Sequence, residues 1–313
     1  MKLALLLLLA VVAAGLATRY RASERESAAE AAYPPTGELV EIDDTTVHAV
    51  IMGEGPDLVL IHGSSGNTRD FTFRLAPMLA ERYRVIIFDR PGLGYTDRLE
   101  GDEGIVAQAA LLQQAAAALG AERPIVLGQS YGGAVALAWG VTRPDSLAAL
   151  VTVSAPSQRW DGPLPWLYRI NSSALGRIAV PLITAWVPRS YVTEAIESIF
   201  APQDMPEGYA EHIGAGLTLR RESLRANAAH RATLKEELAA LAPRYGEIDV
   251  PLEIVHGTAD NTVPFRIHAT PLAEAVDGAN LVALEGIGHV PHNVVPDAVA
   301  AAVDRAAARA GLR

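Results

Sequence analysis

Residues 125 to 133 read Ile-Val-Leu-Gly-Gln-Ser-Tyr-Gly-Gly, and the fold is decided there. A short apolar run ends at Gly128, and a helical pattern runs from Tyr131 to Thr142. Ser130 is therefore predicted to stand in a sharp strand-to-helix turn. Such a turn is strained, and the flanking glycines let two backbones pass closely. G-x-S-x-G in this setting is a nucleophile elbow, which lifts the serine above a sheet edge at the N-terminus of a helix whose dipole favours negative charge.

Working outward, short apolar runs alternate with helical stretches, the sequence form of an α/β fold with a mostly parallel sheet. Eight strands are predicted: Glu38 to Ile42, Val47 to Met52, Leu58 to Ile61, Val85 to Phe88, Ile125 to Leu127, Leu150 to Val153, Leu252 to Val255 and Leu281 to Leu284. The first two read as an antiparallel pair turning at Asp43-Asp44. Those in the middle are unbroken apolar runs, as strands covered on both faces should be. Helices are expected on both faces, at Arg69 to Arg82, Ile105 to Leu119, Tyr131 to Thr142 and Pro296 to Ala310. The core is thus read as 37–154 plus 249–313. The interval 155–248 is rich in Pro and holds Trp160, Trp166 and Trp186. A structureless loop of that length is implausible, and the helical periodicity of Leu217 to Leu241 predicts a helical cap.

A serine hydroxyl needs a histidine base, and the histidine needs an acid to hold its tautomer. Asp260 lies in His256-Gly257-Thr258-Ala259-Asp260, just past one predicted strand. His289 lies in Gly286-Ile287-Gly288-His289, just past the next. Both then share the carboxyl edge of the sheet with Ser130. His256 and His292 are the other imidazoles to weigh as base, and Asp161 the other acid. An oxyanion hole requires two fixed N–H donors. The amides of Tyr131 and of Ser64, in His62-Gly63-Ser64-Ser65-Gly66, are the candidates. His62 is expected to order that loop, and Asp89-Arg90-Pro91-Gly92-Leu93-Gly94 to shape the site wall.

The N-terminus is of another kind. Leu3 to Ala17 is uninterrupted apolar sequence between Lys2 and Arg19. As a helix it spans roughly 22 Å, against a hydrocarbon core of about 30 Å. Residues 1–20 are read as a membrane anchor or as a signal segment that is removed, and 21–36 as a tether.

Across all 313 residues, 50% are hydrophobic and 20% charged, which fits a chain with a large buried core. Twenty-six basic against 36 acidic residues leave a formal charge of −10, which argues against general nucleic-acid binding. With no cysteine, a thiolate nucleophile, disulfides, zinc fingers and Cys-ligated clusters are excluded. No phosphate-binding glycine pattern or metal-ligand spacing is present, so no cofactor and no metal is called for.

These motifs resemble the α/β-hydrolase superfamily, in its cap-containing, serine-nucleophile, esterase-like branch. The resemblance covers roughly residues 37 to 312 through HGSSG at 62–66, DRPGLG at 89–94, GQSYGG at 128–133, HGTADNTVP at 256–264 and GIGH at 286–289. It implies hydrolysis of a small, apolar carboxylic ester through an acyl-enzyme, with Ser130, Asp260 and His289 catalytic. Ser130 departs from haloalkane dehalogenases and epoxide hydrolases, which carry aspartate there. Val290 differs from the tryptophan that commonly follows the histidine in carbon–carbon hydrolases. Carbon–carbon hydrolysis or another reaction of the same triad, and slow-turnover ligand binding on the same fold, stay open as alternatives.

Overall fold

A computed structural model describes residues 1–163 and 166–313; residues 164 and 165 of the expected cap lie outside the described residues. Eight strands form one sheet: β1 (Glu38–Ile42), β2 (Thr45–Met52), β3 (Asp57–Ile61), β4 (Arg84–Phe88), β5 (Ile125–Gln129), β6 (Ala149–Val153), β7 (Leu252–Gly257) and β8 (Asn280–Leu284). Their order is β1-β2-β4-β3-β5-β6-β7-β8. β2 runs antiparallel to β1 and β4, and the pairs from β4 through β8 are parallel.

Side chains of a strand alternate between faces, so the unbroken run Leu58-Val59-Leu60-Ile61 supplies two cores at once. Val59 and Ile61 pack with α4 (Ile105–Ala118) and α5 (Tyr131–Thr142). Leu58 and Leu60 pack on the other side with α2 (Arg69–Thr72), α3 (Leu75–Leu79) and α14 (Pro296–Arg309). The sequence predicted one helix from Arg69 to Arg82, but two short ones form. Pro77 is the cause: its ring would clash with the carbonyl of Phe73 in a continuous helix, whereas in the first turn of α3 it is tolerated.

Between β6 and β7 the described residues form α6 (Trp166–Asn171), α7 (Gly176–Trp186), α8 (Arg189–Phe200), α9 (Tyr209–His212), α10 (Ala215–Thr218) and α11 (Arg221–Leu241). α11 seats Leu234, Leu238 and Leu241 in the core that α5 also lines, which fixes this helical insertion over the sheet edge. α12 (Phe265–Ala275) and α13 (Pro291–Val294) complete the core.

Most of the stretch read as a tether is helical. A single helix, α1, runs from Lys2 to Ala32 without a break. The stretch Arg21 to Ala32 is rich in Ala, Glu and Arg, all good helix formers. Its charges are also held: Glu26 pairs with Arg221 at 2.6 Å and Glu30 with Arg220 at 3.0 Å.

The elbow is where strand and helix approach most closely. A Cβ on Gly132 would collide with the carbonyl oxygens of Ile61 and His62, and one on Gly128 with the Gly132 carbonyl. Both obstacles are backbone and cannot yield cheaply. Gly132→Ala should lower unfolding free energy by about 2 kcal/mol or more; chemical denaturation checks this, and an unchanged midpoint would contradict the packing described.

Candidate active site

Ser130 follows β5 with φ 51° and ψ −123°, a backbone region that side chains other than glycine rarely adopt. The turn is over-determined: the Ser130 amide donates to the Val153 carbonyl at 2.9 Å, and the Ser130 carbonyl accepts from Gly133 at 2.8 Å. Asp260 sits in the turn after β7, where its Oδ1 accepts the Thr262 and Val263 amides, each at 2.8 Å. His289 follows β8, and its loop presses close because Gly257 has no side chain to meet the Ile287 carbonyl.

The three side chains form one line. His289 Nδ1 lies 2.8 Å from Asp260 Oδ2, and His289 Nε2 lies 3.0 Å from Ser130 Oγ. An ionised carboxylate only accepts, so Nδ1 carries the proton and Nε2 is left to accept from the serine hydroxyl. All three residues are buried. Burial alone would raise the Asp260 pKa; the His256 imidazole 3.4 Å away and the hydrogen bonds from His289 and the Val263 amide outweigh it and hold the carboxyl well below the usual range. The competitors have other partners. His256 Nε2 donates to the Val263 carbonyl at 2.7 Å, and His292 Nε2 bonds Asp70 at 3.0 Å. Asp161 is exposed on the cavity wall.

The loop after β3 is held by a residue that the sequence reading gave only to the site wall. Arg90 is fully buried; its Nε donates to the His62 carbonyl at 2.9 Å and its Nη2 to the Gly63 carbonyl at 3.0 Å. A peptide unit is planar and trans, so its C=O and N–H point in opposite directions. Fixing the Gly63 carbonyl on Arg90 therefore turns the Ser64 amide the other way. Among the described residues, neither the Ser64 nor the Tyr131 amide donates to a protein acceptor. The Arg90 guanidinium also stacks 4.3 Å from the Tyr131 ring centre, so one cation touches both the loop after β3 and the residue that follows Ser130. Burial pushes its pKa down to about 10, which leaves it charged at neutral pH. His62 orders the loop as expected, with Nδ1 donating to the Gly63 carbonyl at 2.9 Å and Nε2 accepting the Arg90 amide at 3.0 Å.

The insertion clamps the same loop. Asn227 on α11 accepts the Ser65 amide at 3.1 Å and donates to the Ser65 hydroxyl at 2.8 Å, while Thr218 donates to the Ser65 carbonyl at 2.7 Å. Gln129 donates to the His289 carbonyl at 3.3 Å. Over Ser130 lies a cavity of about 490 Å³, walled by Trp160, Leu234, Val263 and Ile267 among apolar side chains, and by Arg159 and Arg231. A space of that size and lining suits a small amphiphilic ligand.

This strand order, elbow and residue line have known counterparts. The model of the alpha/beta hydrolase family matches residues 58–302. The chain belongs to that family. An uncharacterized protein of Mycobacterium tuberculosis is 28% identical over 278 residues, covering 84% of this chain and 78% of its own length. A pimeloyl-[acyl-carrier protein] methyl ester esterase of Edwardsiella ictaluri is 29% identical over 264 residues, covering 79% of this chain and 91% of the esterase. The crystal structure of a membrane phospholipase A, a bacterial virulence factor, superposes with a TM-score of 0.65 at 22% identity. That match covers 98% of this chain and 99% of the phospholipase.

Three imidazoles are kept neutral inside the fold. Burial, aided by Arg90, pushes His62 down to about 4; burial with Arg90 and Arg98 pushes His230 to about 2; burial with His256 pushes His268 to about 4. Unfolded, each titrates near 6.5. Below that pH the unfolded chain binds more protons than the folded one, so stability present above about 6.5 is lost as pH falls toward 4. Thermal unfolding followed by circular dichroism should give a Tm that is level above about 6.5 and drops steadily below it. A level Tm down to pH 4 would contradict the buried, neutral assignment.

Proposed function

We propose that this chain is a serine hydrolase that cleaves a carboxylic ester through an acyl-enzyme. The observation that carries the reading is the unbroken Ser130–His289–Asp260 line, anchored on a strained turn at the sheet edge. Ser130 Oγ attacks the ester carbonyl carbon as His289 Nε2 takes its proton. Electron density moves onto the carbonyl oxygen, and the Ser64 and Tyr131 amides receive that oxyanion; one such donor is worth about 3 kcal/mol to the transition state. The C–O bond to the alcohol then breaks, and His289 returns the proton to the departing oxygen. Water, deprotonated by the same nitrogen, releases the acid and restores Ser130. Asp260 holds the Nδ1 tautomer and stabilises the imidazolium without itself being protonated. The route asks for no cofactor and no metal.

The cavity wall supports an apolar acyl group, and the family's methyl ester esterase supports ester chemistry. The membrane reading rests on α1. Its apolar run, roughly 22 Å of helix, is exposed throughout residues 1–17. Lys2 and Arg19 can extend its reach to both interfaces. Because α1 continues into residues held by α11, an uncleaved anchor is favoured over an exported, processed form. The likeness to the membrane phospholipase over nearly the whole chain supports the same reading.

Intact-mass analysis of the full chain with a fluorophosphonate should give one adduct per chain, and none on Ser130→Ala. Asp260→Asn leaves the site assembled but favours the wrong tautomer, and kcat on a short-chain nitrophenyl ester should fall about 10⁴-fold. A folded wild type that takes no adduct would overturn the reading in favour of a ligand-binding protein.

A further inference from the structure

The helix α7 carries its apolar residues on the wrong side for a helix of a soluble cap. Its inner face is already satisfied: Gly176, Val180, Thr184 and Ala185 are buried, and the Thr184 hydroxyl donates to the Leu219 carbonyl at 2.8 Å. On the outer face, Leu175, Ile178, Leu182 and Trp186 recur at intervals of three or four residues and so share one stripe. Their exposures lie between 45% and 67%. An uncovered stripe of four large apolar side chains marks a surface that meets an apolar partner.

The position of α7 says which partner. It packs along α1: Arg21 donates to the Ala185 carbonyl at 2.9 Å, Arg25 to the Val187 carbonyl at 3.0 Å, and the Trp186 indole to the Thr18 hydroxyl at 3.2 Å. The Arg21 guanidinium stacks 4.6 Å from the Trp186 ring centre. Farther down, Ala14 and Gly15 share the wall of one cleft with Ile178, Pro181 and Leu182. The outer stripe of α7 therefore starts beside Thr18 and continues alongside the last turn of the uncovered apolar run of α1. The two uncovered apolar surfaces adjoin. Arg19, Arg21, Arg177 and Arg189 stand exposed around the junction, where anionic headgroups would lie, while Glu26 and Glu30 are drawn back onto Arg221 and Arg220.

We propose that α7 is a second membrane contact, lying in the interfacial layer of the bilayer that α1 enters, with its stripe among the upper acyl chains and the arginines among anionic headgroups. This rests on the reading of α1 as an anchor. A helix with one apolar and one polar or protein-bound face is held there by apolar burial together with attraction to anionic lipid. The consequence is orientation: α1 alone would leave the body free to swing, whereas α1 and α7 together fix the cap side of the molecule against the lipid.

The chain has no cysteine, so single labels are clean. Ile178→Cys, Leu182→Cys, Leu8→Cys on α1 and Asp277→Cys on the exposed end of the core would each carry an environment-sensitive fluorophore. The full chain is reconstituted in vesicles of phosphatidylethanolamine and phosphatidylglycerol. Labels at 178 and 182 should be quenched several-fold more than the label at 277 by a lipid bearing a nitroxide near the head of its acyl chain, and should be shielded from aqueous iodide. Quenching of 178 and 182 by iodide to the level of 277, with position 8 still quenched by lipid, overturns the proposal and leaves the anchor standing. Shielding of 178 and 182 from both quenchers also overturns it, because protein rather than lipid then covers the stripe. If position 8 is not quenched by lipid, the anchor itself fails and the proposal with it.

Discussion

The close approach of α5 to β3 and β5 is the constraint on which the site depends. With Gly132 against the carbonyls of Ile61 and His62, the helix N-terminus and the loop after β3 are brought to the same point on the sheet edge. That contact places Ser130 in its strained conformation and sets the Tyr131 amide beside the loop that carries Ser64. Strain at one residue persists only when its surroundings over-determine it. Here the surroundings are a six-stranded parallel run, β4-β3-β5-β6-β7-β8, in which β5 lies between β3 and β6 and is buried along its whole length, so the turn cannot relax.

From that point the polar architecture is built as a set of fixed directions. Arg90 draws the His62 and Gly63 carbonyls to one side, so the Ser64 amide faces the other. Asp260 is fixed by two backbone amides before it fixes His289. Each polar group that would touch substrate is thus oriented by one that does not, and little reorganisation is left for the reaction itself. The cap contributes to the same order through Asn227 and Thr218 on Ser65, which ties the covering helices to the hole as well as to the apolar cavity.

Much of this was legible in the sequence because it is written locally. A strand-to-helix turn at 128–132, an acid just past one strand and a histidine just past the next need only the α/β pattern to be carried to a common edge. The broken helix at Pro77 was legible in principle, through the proline rule. What was not legible depends on partners far away in the chain. Arg90 reads as one member of a Gly/Pro turn until His62, Gln108 and Tyr131 are folded around it. Asn227 reads as a polar residue on a cap helix until Ser65 meets it. The stretch 21–32 reads as a charged tether because its helix is stabilised by Arg220 and Arg221, nearly two hundred residues on. The stripe on α7 is set outward by the packing of Val180, Thr184 and Ala185 on the body.

In the proposed reaction Ser130, and no other group, carries the acyl moiety during turnover. Acid quenching of the full chain during steady hydrolysis of an isotopically labelled ester, followed by peptide mapping, tests it most directly. The labelled acyl group is expected on the peptide that contains Ser130, bound at the serine oxygen. The acyl group on any other residue, or turnover retained in a chain whose Ser130 is replaced by alanine, would contradict it.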